Sequence, residues 1–529
     1  MRRPLRRFAL ATLTLAAFPA AAQAPVSLVQ RYQATITPAE LAGHLYVYAD
    51  DFLAGRDTGA PGQRFAARYL AGQYQTMGIA PRGPSAATIP YGIDGYLQPF
   101  ALEQSTLLSL RVTATRGRET VLRSAIRADS LDDVSLLPVY GSVTDATPAR
   151  VVFVGRADAA ALAGLDLAGA YALVLPGTAA DPSDQAATQA RLGALGARGV
   201  RGAILATAPT TTALAPQAGR AFRGGRLALP EVAGATTEDD LPPIFLTGVD
   251  IATMMLDGTG RSLTGDVSPV DTGVMLAVAA ERDVKAVETE NVVAFVPGSD
   301  LADEFVVISA HLDHIGVEEV AAGEDGINNG ADDDGSGTVS LLEIAEAFQQ
   351  ARLDGNGPRR SVLFLHVTGE EKGLLGSAYY ADRAPLVPLA QTVANLNIDM
   401  VGRHDPSYEG AANPYVYIIG GDLISTDLDA TNARVNAETG LGLDLSKRYN
   451  SADDPNQFFR RSDHWNFGKN GIPFIFYFTG THEDYHEPGD EAFKIDYDRM
   501  ATISRLVFGT AWEVANADAR PLVSGTGFN

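Results

Sequence analysis

Histidines and acidic residues that could hold a metal ion are concentrated in one part of the chain. Seven of the eight histidines lie between residues 311 and 486. Four polar groups in this region each follow an apolar run: residues 311–314 after FVVISA, 370–371 after SVLFLHVT, 399 after VANLNI and 482–486 after PFIFYFTG. Near-continuous apolar runs of this kind predict strands that are buried on both faces. Because the carboxyl ends of parallel strands meet at one edge of a sheet, we expect the four groups to lie together.

The four groups offer nitrogen and oxygen ligands, and sulfur ligands are excluded because the chain has no cysteine. Imidazole and carboxylate ligands suit zinc or a similar divalent ion. Their number suggests two ions, with one aspartate from residues 332–334 between them and four terminal ligands: His311, Glu371, Asp399 and His486. Two ions about 3.5–4 Å apart activate a water molecule and polarise a carbonyl or phosphoryl group.

Other polar residues nearby could support that chemistry. One of the adjacent glutamates, Glu370 or Glu371, would be free to act as a general base. Asp313 could accept the second ring N–H of His311 and so orient that ring. We interpret His366, inside an apolar run, as a core histidine. Three further histidines are interpreted as neighbours of the site or surface groups: His314, His404 and His464.

The segment GADDDGSGTVSLLE, residues 330–343, also fits the loop of a calcium-binding EF-hand. Loop positions 1, 3, 5, 6 and 12 would be Asp332, Asp334, Ser336, Gly337 and Glu343. An EF-hand needs a helix on each side of its loop. Residues 321–331 contain three glycines and two asparagines, which disfavour an incoming helix. We therefore interpret the match as accidental and Glu343 as a solvated helix residue.

Residues 482–486, HEDYH, fit the H-E-x-x-H pattern of helical zinc proteases. That pattern needs both histidines on one helix, but HEDYH follows a strand-like run and precedes Pro488, which would end a helix. We therefore favour His486 as a metal ligand on a loop, while His482 is left as a polar group without an assigned role.

These groups require a sheet that holds four strand ends side by side. Strand-like and helical runs alternate after about residue 270, which predicts a doubly wound, mostly parallel α/β sheet with helices on both faces. Residues 38–79 are predicted to be helical, since Thr37 can cap a first helix and Gly78 can end a second one.

The length of 529 residues favours two domains. Residues 135–265 contain three strand-like runs and an Ala-rich helix, with no acidic cluster at any strand end. This pattern predicts a separate, smaller β/α domain without chemistry of its own. We expect residues 25–134 to be the N-terminal part of the catalytic domain and residues 266–529 to be its main part.

Residues 1–24 are typical of a secretory signal: a basic start, a short apolar stretch and small residues before the cleavage site. We expect cleavage after Ala22 or Ala24, export to the periplasm or the extracellular space, and no membrane span in the mature chain. The net charge of −23 disfavours nucleic acids and anionic membranes as partners. No G-x-S-x-G motif supports a serine hydrolase.

Six segments resemble, in order, the co-catalytic zinc exopeptidases of the aminopeptidase Y type, which include secreted bacterial leucyl aminopeptidases and glutamate carboxypeptidase. They are SAHLDHIG (309–316), NNGADDDGSGTVSLLEIA (328–345), VTGEEKGLLGSAYYA (367–381), NIDMVGR (397–403), RSDHWNFGKNGIPFIFYF (461–478) and HEDYHEPGDE (482–491). The resemblance covers about residues 280–510. Residues 135–265 resemble the protease-associated domain that is often inserted in this family and that would shape substrate access.

The resemblance implies roles for individual residues. Asp333 would bridge two zinc ions, with His311 and Asp399 on one ion and Glu371 and His486 on the other. The remaining implied roles are a general base, an oxyanion-stabilising hydroxyl and a carboxylate behind the first histidine: Glu370, Tyr485 and Asp313.

Three functional hypotheses follow from the resemblance. The first is a secreted di-zinc aminopeptidase that removes N-terminal residues from peptides. The second is a carboxypeptidase on the same site, because the ligands do not separate the two activities. The third is a non-catalytic binding protein on a peptidase scaffold, which the complete ligand set and Glu370 argue against. The sequence leaves the oligomeric state open.

Overall fold

The computed structural model describes most of the chain, and the predicted signal segment at residues 1–24 lies outside the described residues. Described are residues 27–525 apart from 90–91, 132–133, 142–145, 157–159, 161, 179, 182–184, 209, 224, 231–240, 411–413 and 452–453. Within this part, no helix is both long enough and apolar enough to cross a membrane.

The described residues form sixteen strands. They are β1 (Ala80–Pro81), β2 (Leu97–Arg116), β3 (Glu119–Arg127), β4 (Leu137–Tyr140), β5 (Ala149–Gly155), β6 (Tyr171–Val174), β7 (Gly202–Ala208), β8 (Arg226–Ala228), β9 (Ile244–Gly248), β10 (Val270–Val296), β11 (Leu301–His311), β12 (Arg360–Val367), β13 (Thr392–Ile398), β14 (Tyr415–Ile419), β15 (Asp444–Ser446) and β16 (Phe474–Phe478).

Twelve α-helices accompany these strands in the described part of the chain. They are α1 (Leu28–Gln33), α2 (Pro38–Tyr48), α3 (Pro61–Met77), α4 (Gln185–Gly196), α5 (Ala215–Arg223), α6 (Val249–Leu256), α7 (Gly337–Leu353), α8 (Leu375–Ala378), α9 (Gly421–Ile424), α10 (Thr426–Thr439), α11 (His464–Gly468) and α12 (Tyr497–Asn516). The helical prediction for residues 38–79 agrees with α2 and α3, which are separated by a 3₁₀ segment at Asp51–Arg56.

The strands form one continuous sheet with the order β15-β14-β16-β13-β11-β12-β10-β5-β6-β7-β9-β4 along its main path. We call β11–β16 the site half, and β4–β7 with β9 the second half. In the site half β12, β11, β13 and β16 run parallel. In the second half β5, β6, β7 and β9 run parallel. The predicted α/β class with a mostly parallel sheet is therefore confirmed.

Helices cover both faces of the site half. Val306 and Ile308 of β11 pack in one buried cluster with residues of α2, α3, α7 and α12. Phe305 and Val307, on the opposite face of the same strand, pack in another cluster with Phe467 of α11. Because side chains alternate along a strand, an almost uninterrupted apolar run supplies both layers at once.

A long antiparallel ribbon connects the two halves. β2 pairs with β10 from Leu97↔Val292 to Arg116↔Val274. One end of β10 continues the sheet to β12, and the other end continues it to β5. β10 runs without a break from Val270 to Val296, so a single strand reaches both halves.

The surroundings of Glu343 and the conformation of residues 482–486 bear on two of the predictions. Glu343 is buried on α7 and its Oε1 lies 3.4 Å from His44 Nε2, so its interpretation as a solvated residue is wrong. The reason is that α7 lies between the sheet and α2 and is enclosed on most sides. Residues 483–486 form turns and His482 lies outside any helix, which agrees with the rejection of the H-E-x-x-H interpretation.

Candidate metal centre

The carboxyl ends of the four parallel strands meet at one edge of the site half. His311, the last residue of β11, lies beside Val367, the last residue of β12. Ile398, which precedes Asp399, lies beside Tyr477 near the end of β16. The strand-end arrangement thus brings the predicted polar groups to one place.

Three side chains form the first candidate ligand group. His311 Nε2 lies 3.2 Å from Asp333 Oδ1 and 3.6 Å from Asp399 Oδ1. His311 is almost fully buried, and Ser462 Oγ donates a hydrogen bond of 2.6 Å to Asp399 Oδ2. Oδ1 of Asp399 is thereby left facing the histidine.

The other oxygen of Asp333 faces a second group. His486 Nε2 lies 3.1 Å from Asp333 Oδ2 and 3.2 Å from Glu371 Oε2. His314 also approaches this group, with Nδ1 2.7 Å from Glu371 Oε1 and 3.9 Å from Asp333 Oδ2. Among the described residues, converging metal-ligating side chains are found around Asp333 alone.

The distances fit two zinc ions that share Asp333. Tetrahedral zinc with bonds of about 2.0–2.1 Å places neighbouring ligand atoms roughly 3.3 Å apart. The distances from His311 and His486 to their carboxylate partners are 3.1–3.6 Å, close to that separation. His486 Nε2 is enclosed and makes no hydrogen bond of good geometry, which is expected when its lone pair is directed between the two carboxylate oxygens. The donor set therefore suits divalent ions.

The two aspartates that flank Asp333 hold its loop in place. Asp334 accepts hydrogen bonds from the backbone N–H groups of His311, Gly337 and Met400 at 2.9–3.2 Å. Asp332 Oδ1 accepts one from the N–H of Gly402 at 2.6 Å. Because both neighbours are committed to backbone donors, Asp333 is the residue of this loop whose two oxygens face the histidines.

Asp490 and His482 fix the same loop from its other side. Asp490 accepts hydrogen bonds from the N–H groups of Asp332 and Asp333 at 2.9–3.0 Å. His482 Nε2 lies 3.4 Å from Asp332 Oδ2. The histidine left without a role by the sequence therefore contacts the acidic loop. Asp490, four residues after His486, was not singled out by the sequence.

Arg56 is a further contact that the sequence did not reveal. Its guanidinium is fully buried, lies over the Tyr48 ring and donates to the carbonyl oxygens of Leu312, Asn329 and Gly330. Its contacts join the loop after β11 to the loop that carries Asp333. Burying a cation costs desolvation free energy, and the hydrogen bonds to these carbonyl oxygens offset that cost.

Asp313 lies beside the site but contacts other groups than the sequence predicts. His311 Nδ1 is 3.1 Å from the carbonyl oxygen of Asp313 and 4.0 Å from its carboxylate. The carboxylate accepts hydrogen bonds from Thr58 Oγ1 at 2.7 Å and from the N–H of Glu370 at 3.2 Å. In this geometry the backbone of Asp313 orients the histidine, and its side chain positions the segment that begins at Glu370.

Burial and neighbouring charges set the protonation of the acidic groups. Burial, together with repulsion from Glu371 and Asp399, raises the pKa of Glu370 well above its usual range. For Glu371 the burial is outweighed by the hydrogen bond from His314 and the close approach of His486, which lower its pKa to about 2. The two adjacent glutamates thus lie in different electrostatic surroundings, and Glu371 is the one that the histidines hold ionised.

An apolar wall stands beside these groups. The pocket above His311 and Glu370 is lined on one side by Met400, Phe458, Phe476 and Phe478, and at its rim by Thr481, Tyr485 and Arg461. The Tyr485 ring stacks on the His486 ring with centroids 3.9 Å apart, and Arg461 Nη2 donates to Tyr485 Oη at 3.2 Å. Burial raises the pKa of Tyr485, so its hydroxyl stays a neutral donor.

Comparisons with known proteins agree with this chemistry. Residues 291–511 match the family model described as Peptidase family M28. A "Probable zinc metalloprotease" from Pyricularia oryzae is 27% identical over 278 residues, covering 45% of this chain and 52% of the relative. "Aminopeptidase YwaD" from Bacillus subtilis is 28% identical over 224 residues, covering 41% of this chain and 43% of the relative. The chain thus spans about half the length of the curated relatives it matches.

One solved structure shares the fold over most of the chain. The aminopeptidase from Aneurinibacillus sp. strain AM-1 superposes with a TM-score of 0.53 and 18% identity, covering 94% of this chain and 97% of that one. The predicted resemblance to zinc exopeptidases is confirmed by the family match and these relatives. That match does not extend to residues 135–265, so their resemblance to a protease-associated domain stays a prediction.

Proposed function

We propose, from the Peptidase family M28 match of residues 291–511, that this protein is a di-zinc aminopeptidase acting on peptides. The observation that carries the proposal is that the two carboxylate oxygens of Asp333 face different histidines. Oδ1 lies beside His311, and Oδ2 lies beside His486. The ligands of the two ions would be His311, Asp333 and Asp399 on one side and Asp333, Glu371 and His486 on the other. Two such ions would supply an activated water molecule and polarise the scissile carbonyl.

The chain's own residues perform the remaining steps. Glu370, which lines the pocket and is not assigned as a ligand, accepts the proton of the attacking water and delivers it to the leaving amine nitrogen. The neutral hydroxyl of Tyr485 donates a hydrogen bond to the carbonyl oxygen as negative charge develops there. The wall of Met400, Phe458 and Phe478 receives an apolar side chain of the substrate.

The choice of the amino terminus rests on the relatives, which include "Aminopeptidase YwaD" from Bacillus subtilis. The carboxylates of the pocket do not decide it, because Asp333 and Asp399 would be neutralised as metal ligands. Arg461, whose Nη2 donates to Tyr485 Oη at the rim, would instead suit a substrate carboxylate. This arginine is the observation that keeps a carboxypeptidase as the second candidate.

One set of peptides separates the two candidates. The same leucine-rich peptide is prepared in three forms: free, N-acetylated and C-amidated. Each form is offered to protein loaded with zinc, to protein depleted with a chelator, and to depleted protein that has been reloaded with zinc. We expect cleavage of the free and amidated peptides, none of the acetylated one, and loss of activity on depletion. Cleavage of the free and acetylated peptides but not of the amidated one would establish the carboxypeptidase, and no cleavage by protein holding two ions would reject both.

Export is a separate part of the proposal and rests on residues 1–24. Amino-terminal sequencing of the native protein should find Gln23 or Pro25 as its first residue. A native protein that begins at Met1 would contradict export through a cleaved signal.

A further inference from the structure

His314 is a buried side chain at the metal centre that the proposed reaction does not use. It is fully enclosed, and its Nδ1 makes a hydrogen bond of 2.7 Å with Glu371 Oε1. Its position three residues after His311, at the same strand end, raises the question of whether it is a ligand or supports one.

The distances argue against direct ligation. Tetrahedral zinc ligands lie roughly 3.3 Å from one another. His314 Nδ1 is 2.7 Å from Glu371 Oε1, which is too short, and 3.9 Å from Asp333 Oδ2, which is too long. His486 Nε2, by contrast, lies 3.1 and 3.2 Å from carboxylate oxygens of the same two acids and makes no hydrogen bond of good geometry to either.

The surroundings of the ring fix its tautomer. Nε2 of His314 is buried without a hydrogen-bond partner among the described residues. A proton on Nε2 would therefore be a buried donor with no acceptor, whereas a proton on Nδ1 is donated to Glu371. The imidazole acts as an N–H donor at Nδ1.

The protein encloses this ring from three directions. Gly330 has φ +55, and a Cβ atom there would lie 2.6 Å from Cγ and Cδ2 of His314, so the loop that carries Asp333 can approach only through a glycine. The His486 ring meets the His314 ring edge-on with centroids 5.7 Å apart. The backbone N–H of His314 donates to the carbonyl oxygen of Arg56 at 3.2 Å. A ring confined in this way has one orientation.

We propose that His314 is the positioning residue for Glu371, an inference that rests on the proposed di-metal site. Its Nδ1–H holds Oε1 of Glu371, so that Oε2 is the oxygen presented to His486 and to the second ion. The carboxylate then binds that ion through a single oxygen. The effect is confined to the ion held by Glu371 and His486, and the ion held by His311 and Asp399 is unaffected.

Three substitutions separate positioning from ligation. His314→Asn places an amide N–H near the position of Nδ1, His314→Gln places it near that of Nε2, and His314→Leu removes the donor. We expect H314N to keep two zinc ions of wild-type affinity. H314Q and H314L should bind one ion as before and the other about 10–100-fold more weakly, the usual cost of losing a group that orients a ligand. His404→Leu, at an exposed histidine, is the matched control with no change.

The measurement is zinc titration by calorimetry, supported by metal analysis after dialysis against graded chelator, both without substrate. Loss of one ion in all three variants would overturn positioning in favour of direct ligation. Two unchanged ions in H314L would overturn any role at the metal centre. Because metal binding is measured directly, a protein that binds two ions but cleaves no peptide would reject the proposed function and leave this result interpretable.

Discussion

The two halves of the sheet share a plan, and they differ in the residues that come after their strands. Each half has four neighbouring parallel strands. In the site half the strand ends lead into His311, Glu370, Asp399 and the loop with His486. Residues 137–248, which contain the second half, have no histidine. The described residues of that half also form no converging group of metal-ligating side chains.

A buried arginine is present at the strand ends of both halves. Arg56 joins carbonyl groups of two loops in the site half. Arg191 in the second half is also buried and donates to the carbonyl oxygens of Leu175 and Gly177, just after β6. The means of fixing strand-end loops is therefore common to both halves. Chemistry at such an edge depends on which side chains the fixed loops carry, not on the sheet that supports them.

The largest expected effect comes from removing the proposed base. Glu370→Gln keeps the shape of the side chain but cannot take a proton, and we expect kcat to fall by about 10²–10⁴-fold. Metal analysis should still find two ions, because Glu370 is not assigned as a ligand. Asp166→Asn, an exposed carboxylate in the second half, is the control with unchanged kcat. Turnover above a tenth of wild type, with both ions bound, would contradict the assignment.

One buried hydroxyl group in each half allows a second test of the difference between the two halves. Ser462 donates to Asp399 in the site half, and Thr247 Oγ1 donates to the carbonyl oxygen of Ser135 at 2.7 Å in the second half. Ser462→Ala should weaken the binding of one zinc ion by about 10–100-fold, because Asp399 loses the hydrogen bond that orients it. Thr247→Val should leave zinc binding unchanged in the same titration. If both substitutions changed the zinc affinity equally, the restriction of metal binding to the site half would be contradicted.

A third expected effect is a change in acid sensitivity, which is measured on stability rather than on metal binding or catalysis. Burial lowers the pKa of His366 to about 3. The Nε2 atom of this histidine lies 2.6 Å from Tyr74 Oη. Between pH 6.5, the usual value for an unfolded histidine, and pH 3 the unfolded chain binds more protons, so the stability contributed by this residue is lost as pH falls. His366→Gln should reduce the slope of unfolding free energy in that window by up to about 1.4 kcal/mol per pH unit.

Urea unfolding at several pH values measures this slope. The second half has no histidine, so a substitution there, such as Thr247→Val, should shift stability equally at every pH between 4 and 6.5. An unchanged slope in the His366→Gln variant would contradict the proposed cause.

The sequence predicts where four of the five proposed ligands lie because one rule covers these four. Apolar runs mark parallel strands, and parallel strands deliver their following residues to a common edge. His311, Glu371, Asp399 and His486, together with Glu370, could be placed in this way without knowledge of any contact. Asp333 was preferred over its neighbours through the resemblance, and its neighbours prove to be bound to backbone groups.

The supporting contacts could not be predicted in this way. Arg56 contacts Gly330, 274 residues further along the chain, and Thr58 contacts Asp313 across 255 residues. No local pattern records a partner at such a distance. The extent of β10 did leave a signal, because Val274, Leu276 and Val278 alternate with more exposed residues and are buried. Alternation of this kind predicts a strand with one buried face.

The ribbon of β2 and β10 also gives the molecule a built-in spacer. The chain leaves the site half at Leu97 and returns at its partner Val292. A strand advances about 3.4 Å per residue and alternates its faces every residue. Deleting two residues from each strand would retract the second half by about 7 Å with every side chain on its original face, whereas deleting one would reverse the faces. The reach of the second half is therefore adjustable in steps, independently of the site that the ribbon begins from.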